Sequence, residues 1–196
     1  MKRRPTVTIG IPAFNEEANI THLIRALLRQ KTPNFRLEKI LVVSDHSTDA
    51  TEQFVRSVRD RRVHLLVNKR RLGLNGTQNV ILRHSKSDIL ILFDADVLPK
   101  NDNCISLLIA PLISNPKVGL TSGKLYSLRV MSNIISRILA NAHEMKRRVF
   151  ETLPNHHNLY LCAGRVRAMS RKLYSQIHWP EDVPEDAYSY LQAVTH

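Results

Sequence analysis

Ser87–Lys100 reads SDILILFDADVLPK. The unbroken apolar run Ile89–Phe93 ends abruptly in Asp94 and Asp96, with Ala95 between them. An apolar run of this length without alternation is the pattern of a strand covered on both faces, and so of a mainly parallel sheet. Two carboxylates at the mouth of such a strand repel each other, which costs free energy unless something positive lies between them. Residues i and i+2 of an extended segment point to the same side, so both acids can face one pocket. Mg2+ or Mn2+ suits such a pair, with substrate phosphates and water as further oxygen ligands. The plainer reading is a capping aspartate and a turn aspartate before Pro99, each satisfied by backbone N–H groups.

The same pattern recurs along the chain. Strands are expected at Thr6–Ile11, Lys39–Ser44, Val63–Val67, Ile89–Phe93 and Val118–Thr121, with a weaker one at Leu159–Cys162. Helical patterns fall near Glu16–Gln30, Asp49–Arg59 and Gly76–His84. This alternation predicts an α/β doubly wound fold, a mainly parallel sheet with helices on both faces and right-handed crossovers. Asn15 is placed to cap the first helix, and Asp49 the second, with Glu52 three residues on in capping-box spacing. Each cap follows a strand, so PAFNEE, SDHSTD and DADVLP gather at the carboxyl edge of the sheet, where open α/β sheets bind ligands.

Composition sets the outer limits. The 196 residues fit one domain, with 43% hydrophobic and 23% charged residues, ordinary for a soluble globular protein. Cys104 and Cys162 lie far apart and are expected to be reduced, buried thiols in a cytoplasmic setting. No signal peptide follows the basic start, and no window reaches the ~18 apolar residues of a spanning helix. A formal charge of +12 favours anionic partners without choosing among them.

Other loops carry candidate chemistry beside a plainer role. Asp45, at the end of the second strand, can accept hydrogen bonds from a base or ribose, or can serve the turn. Asn68–Asn79, NKRRLGLNGTQN, combines Arg70 and Arg71 with Gly73, and so can meet a diphosphate or be a solvated loop. In WPEDVPEDAYSYL, Glu185 and Asp186 suit a helix start by their charge. Either can instead take a proton from an attacking hydroxyl, and Glu181–Asp182 has the same composition. Leu128–Phe150 reads as a long amphipathic helix, packed on the sheet or lying on an anionic membrane surface.

Taken in order, VTIGIPAFNEEANI, ILVVSDHSTDAT, NKRRLGLNGTQN, ILILFDADVLP and VPEDAYSYL resemble the blocks of glycosyltransferase family 2, of GT-A fold. The resemblance covers nearly the whole chain. It implies transfer of a sugar from a nucleotide-diphosphate donor to an acceptor hydroxyl with inversion, residues of about 1–100 holding the donor and about 101–196 the acceptor. By it, Pro12, Phe14 and Glu16 are similar to the first nucleotide-contacting loop, and Asp45 to the base- or ribose-recognising aspartate. Asp94 and Asp96 resemble the Asp-x-Asp motif that holds Mg2+ or Mn2+. Asp186 resembles the general base, with Glu185 beside it, and Gly164 the acceptor segment. The implied partners are a nucleotide-diphosphate sugar and a carbohydrate or lipid-linked acceptor at the inner face of the membrane, in polysaccharide or cell-envelope synthesis, with no nucleic acid.

Two departures stand out. Ser44-Asp45-His46 replaces the family's common Asp-Asp-Gly, and the Gln-x-x-Arg-Trp motif and membrane helices of its polysaccharide synthases do not follow Asp186, so a catalytic domain truncated at its C-terminus is expected. The best rival enzyme is a haloacid-dehalogenase-like phosphatase, with Asp94 as nucleophile, Asp96 as acid, and Thr121 or Ser122 and Lys124 completing the site. Its motif should open its domain, whereas three strand–helix units precede this one. A basic nucleic-acid-binding module is the non-enzymatic rival, resting on charge alone.

Overall fold

In the computed structural model, which describes residues 3–125, 145, 164–181 and 183–195, the chain alternates strands and helices from its start. The order is β1 (Thr6–Ala13), α1 (Ile20–Leu28), β2 (Arg36–Ser44), α2 (Thr51–Ser57), β3 (Val63–Val67), α3 (Gly73–His84) and β4 (Ile89–Phe93). Then come α4 (Cys104–Ser114), β5 (Leu120–Ser122), β6 (Val166–Ser170), the single turn α5 (Arg171–Tyr174) and α6 (Glu185–Thr195). The strands form one sheet in the order β3-β2-β1-β4-β6-β5. The first four neighbours run parallel, and β6 is antiparallel to both β4 and β5. Strand order reverses beside β1, with β2 on one side of it and β4 on the other, and a crevice lies at the carboxyl ends of β1 and β4.

Both faces of the sheet are covered, as the unalternating apolar runs require. On one face Val7, Ile9 and Ile11 of β1 pack with Leu23 and Leu27 of α1 and Ile105 of α4. On the other, Leu90 and Leu92 of β4 pack with Ile81 of α3, Met169 of β6 and Trp179. Each such buried side chain contributes roughly 1.5–3 kcal/mol of transfer free energy. Gly10 decides how close α3 lies, because a Cβ there would sit 2.3 Å from the Ile81 Cγ2. No residue but glycine fits at that distance.

The ends of the elements differ from expectation for identifiable reasons. Helix α1 starts at Ile20, not after Asn15. Asn15 takes a left-handed φ of 54° and turns its side-chain oxygen to the Thr48 N–H at 2.9 Å, bracing one loop against the next. Asp49 does receive the Thr51 N–H, but Glu52 bonds the Ser44 hydroxyl at 2.9 Å, so no capping box forms. Helix α4 was not anticipated because Pro111 interrupts it; the proline sits in the last turn, where its missing N–H costs one bond. Strand β6 was missed because Arg167 breaks its apolar run. Cys104 is a free thiol but only half-buried. The expected strand Leu159–Cys162, and Leu128–Phe150 apart from Met145, lie outside the described residues.

Candidate active site

The crevice at the carboxyl ends of β1 and β4 holds a cavity of about 290 Å³. Its first wall comes from loops after β1 and β2 and from the start of α3. Pro12, Phe14 and Glu16 line it, as do Asp45, Arg71 and Gly73. These loops are stitched together by side chains bonding backbone groups. The Glu16 N–H donates to Thr51 Oγ1 at 2.7 Å. Glu17 and Asp49 exchange bonds reciprocally, the Glu17 N–H to Asp49 and the Ala50 N–H to Glu17. Asp45 is buried, and its Oδ1 accepts from the Leu72 N–H at 2.8 Å and from Asn68 at 2.9 Å, while Oδ2 accepts from the Gly73 N–H at 2.9 Å. Whatever else Asp45 meets, it first anchors the turn into α3, where Gly73 has a left-handed φ of 71°. Arg71 stacks 3.8 Å from the Phe14 ring centroid, which holds a guanidinium at the cavity rim. Arg70 is exposed and does not line the cavity.

The second wall carries charge. Asp94 and Asp96 both line the cavity. Burial pushes the Asp94 carboxyl up to about 7, Asp96 adds to the rise, and the Arg165 and Arg167 guanidiniums oppose it. Asp96 is half-exposed and pairs with Arg165 at 2.9 Å. Among the described residues no group of three or more His, Cys, Asp or Glu side chains forms a metal cage. The pair alone nevertheless fits a divalent ion whose other ligands are phosphate oxygens and water, and a cation there would relieve the strain on Asp94.

Glu185 opens α6, and its charge reaches Asp94 as a further upward push. The Glu185 carboxylate lies 3.9 Å from Arg167 Nη1. Asp186 follows in the same first turn, and its side chain lies outside the described ones. Gly164 stands in the turn before β6, and its carbonyl accepts from Arg167 Nη1 at 3.3 Å.

Sequence reasoning missed the residues that tie the two walls together. Arg167 is fully buried, donates to the Gln78 side chain at 2.7 Å and lies 5.1 Å from the Trp179 ring centroid. From α3, Asn75 donates to the Pro180 and Val183 carbonyls, while Asn79 both donates to the Trp179 carbonyl and accepts its N–H. Trp179 Nε1 in turn donates to the Glu185 carbonyl at 3.2 Å and to Ser189 at 3.1 Å. The signal was present in NGTQN: polar residues on every side of a short helix have to be satisfied by another segment.

A mostly parallel sheet with an acid pair at a strand's carboxyl end is the architecture of GT-A glycosyltransferases. The description "Glycosyl transferase family 2" matches residues 8–177, and the chain belongs to that family. Among individual proteins, the chain is 28% identical over 144 residues to the probable glycosyltransferase YdaM of Bacillus subtilis, covering 71% of this chain and 34% of YdaM. It is 32% identical over 119 residues to a beta-monoglucosyldiacylglycerol synthase of a Nostoc species, covering 59% of this chain and 25% of the synthase. In fold it is similar to the mannosyltransferase PcManGT of Pyrobaculum calidifontis, solved with GDP-Man and Mn2+, at TM-score 0.72 and 23% identity over 96% of this chain and 51% of that one. The chain thus spans a quarter to a half of these relatives' lengths. The family match leaves the phosphatase and nucleic-acid readings without support; in the structure the Thr121 hydroxyl donates to the Leu108 carbonyl. No helix among the described residues is long and apolar enough to cross a membrane.

Proposed function

We propose that this chain is the catalytic domain of an inverting glycosyltransferase that moves a sugar from a nucleotide-diphosphate donor to a hydroxyl of a carbohydrate or lipid-linked acceptor. The observation that carries this reading is the acid pair, Asp94 and Asp96, lining one cavity with Phe14, Asp45 and Arg71, close enough to Glu185 at the start of α6 for its charge to act on Asp94. In this reading Phe14, Asp45 and Arg71 form the nucleotide side, and Arg71 faces the donor's phosphates. Asp94 and Asp96 would hold a divalent ion, Mg2+ or Mn2+, which would supply charge neutralisation for the departing diphosphate. Asp186 accepts the acceptor's proton as its oxygen forms the new bond to the anomeric carbon; the bond from that carbon to the phosphate oxygen breaks, and the electron pair leaves with the nucleoside diphosphate. Glu185, paired with Arg167, positions that helix turn, and Gly164 borders the acceptor.

The relatives support a lipid acceptor and a nucleotide-sugar donor such as GDP-Man, with Mn2+ in the structural neighbour. A lipid-linked acceptor would bring the protein to the inner face of a membrane. The test is a thermal-shift panel of nucleotides and nucleotide-sugars with and without Mn2+. A true donor stabilises the fold by RT ln(1 + [L]/Kd), and Asp96→Ala should remove the metal-dependent part. Transfer by the wild-type chain undiminished by excess chelator would refute the metal assignment.

A further inference from the structure

The opposite edge of the sheet holds a second concavity, larger than the first at about 940 Å³. It lies at the amino ends of β1, β2 and β3. Since β1 is eight residues long, the two edges are separated by roughly 25 Å at ~3.3 Å per residue. Arg4 precedes β1, Arg36 opens β2, and Arg59, Arg61 and Arg62 lead into β3; all five line the concavity. Residues distant in sequence therefore bring five guanidiniums to one place.

The one acid in this lining is Asp60. Its carboxylate is taken up by Arg62, which donates from Nε at 3.0 Å and from Nη2 at 2.7 Å, and it is held down at about 2, first by that side-chain bond. Arg4 reaches the Thr32 carbonyl at 3.4 Å, which leaves its charge uncompensated. Arg36, Arg59 and Arg61 are exposed and form no salt bridge among the described residues, Arg61 adding only a weaker charge attraction to Asp60 behind that of Arg62. Four positive charges thus remain around a floor to which the buried Phe35 and the half-buried Leu37 contribute. Converging like charges raise the free energy of the unliganded protein, and an apolar floor weakens the screening that would relieve it. Guanidinium forks match phosphate oxygens two at a time, and several forks together suit more than one phosphate.

We propose that this arginine-lined concavity is a second anion site, distinct from the transfer cavity, that binds clustered phosphate groups. Such groups are presented either by an anionic lipid surface or by a soluble oligophosphate. The site does not depend on the transfer reaction and can be tested apart from it.

The experiment uses the whole chain in chelator. The probes are inorganic tripolyphosphate, followed by calorimetry, and phosphatidylcholine vesicles with and without phosphatidylglycerol, followed by co-sedimentation. Wild-type protein is compared with Arg36→Gln/Arg61→Gln and, as a control for the front cavity, Arg71→Gln. The expected result is binding of at least one anionic probe, lost tenfold or more in the double variant, kept in Arg71→Gln, and weakened by added salt. Vesicle binding without tripolyphosphate binding assigns a lipid source, and the reverse a soluble one. Binding of neither probe, or a double variant within threefold of wild type, overturns the proposal. Should the first pair melt early, Arg4→Gln/Arg59→Gln repeats the comparison at positions outside the sheet.

Discussion

The two walls of the front cavity are built by different forces. The wall from β1, β2 and the start of α3 is held by short bonds between side chains and backbone amides, with Asp45 alone fixing the Leu72 and Gly73 N–H groups. The wall at the end of β4 is formed by Asp94 and Asp96, on which Arg165, Arg167 and Glu185, from the segments of β6 and α6 behind it, act by charge. Hydrogen bonds of the first kind are directional and fix shape. Charges act over longer range, depend on pH and respond to bound ions. The first wall therefore has its shape fixed by geometry, and the second has its state set by charge.

The comparison breaks hardest at Asp186. Asp186→Asn should lower transfer by about 10²–10⁴-fold, the usual worth of a positioned general base. Nucleotide-dependent stabilisation should persist, since the first wall is untouched; an Asp186→Asn chain with wild-type turnover would remove Asp186 from the reaction. Next comes the link between the walls. Asn79→Ala leaves the buried Trp179 N–H and carbonyl without their partners and should cost about 2–6 kcal/mol in denaturant unfolding, two orphaned groups at about 1–3 kcal/mol each. If kcat falls more than KM rises, α6 has been displaced relative to the donor; unchanged kinetics at reduced stability would make the link structural only.

How much of this was legible in the sequence follows the same division. The first wall was readable because its signals are local: apolar runs ending in PAFNEE, SDHSTD and DADVLP place the loops at one sheet edge. The second wall was not. Arg167 lies within VRAMS, where a guanidinium looks like the end of a strand, and only the folded chain shows it buried against Gln78, Trp179 and Glu185. Antiparallel β6 joins β4 across more than seventy residues of chain, and a one-dimensional pattern carries no sign of that pairing. In sequence Asn75 and Asn79 belong to the stretch NKRRLGLNGTQN, and nothing local reveals that their partners lie about a hundred residues on. The acid pair was recognised in type, but its electrostatic condition depends on burial.

That condition gives the third test. The Asp94 carboxyl stands at about 7 in the folded chain against an ordinary value of 3.8. Below the ordinary value both folded and unfolded states hold the proton. Between the two values the unfolded chain has lost it and the folded chain has not, so stability falls as pH rises and levels off above about 7. Asp94→Asn, which cannot ionise, should melt several degrees above wild type at pH 8 without metal, with the gap closing toward pH 5. A gap independent of pH would mean that the charges of this wall are already balanced.

The smallest effect belongs to the first wall. His46 holds a left-handed φ of 62°, a conformation that costs a side chain with a Cβ about 1 kcal/mol and costs glycine nothing. The position follows Asp45 at the tip of the loop, and the strain explains why a glycine would suit it. His46→Gly relieves the backbone but gives the unfolded chain more freedom, and the two effects oppose each other. The expected net change is within about 1 kcal/mol, with nucleotide stabilisation unaltered. A larger loss, or a loss of nucleotide binding alone, would show that the imidazole touches the ligand, and that this wall recognises its donor by more than the shape its hydrogen bonds impose.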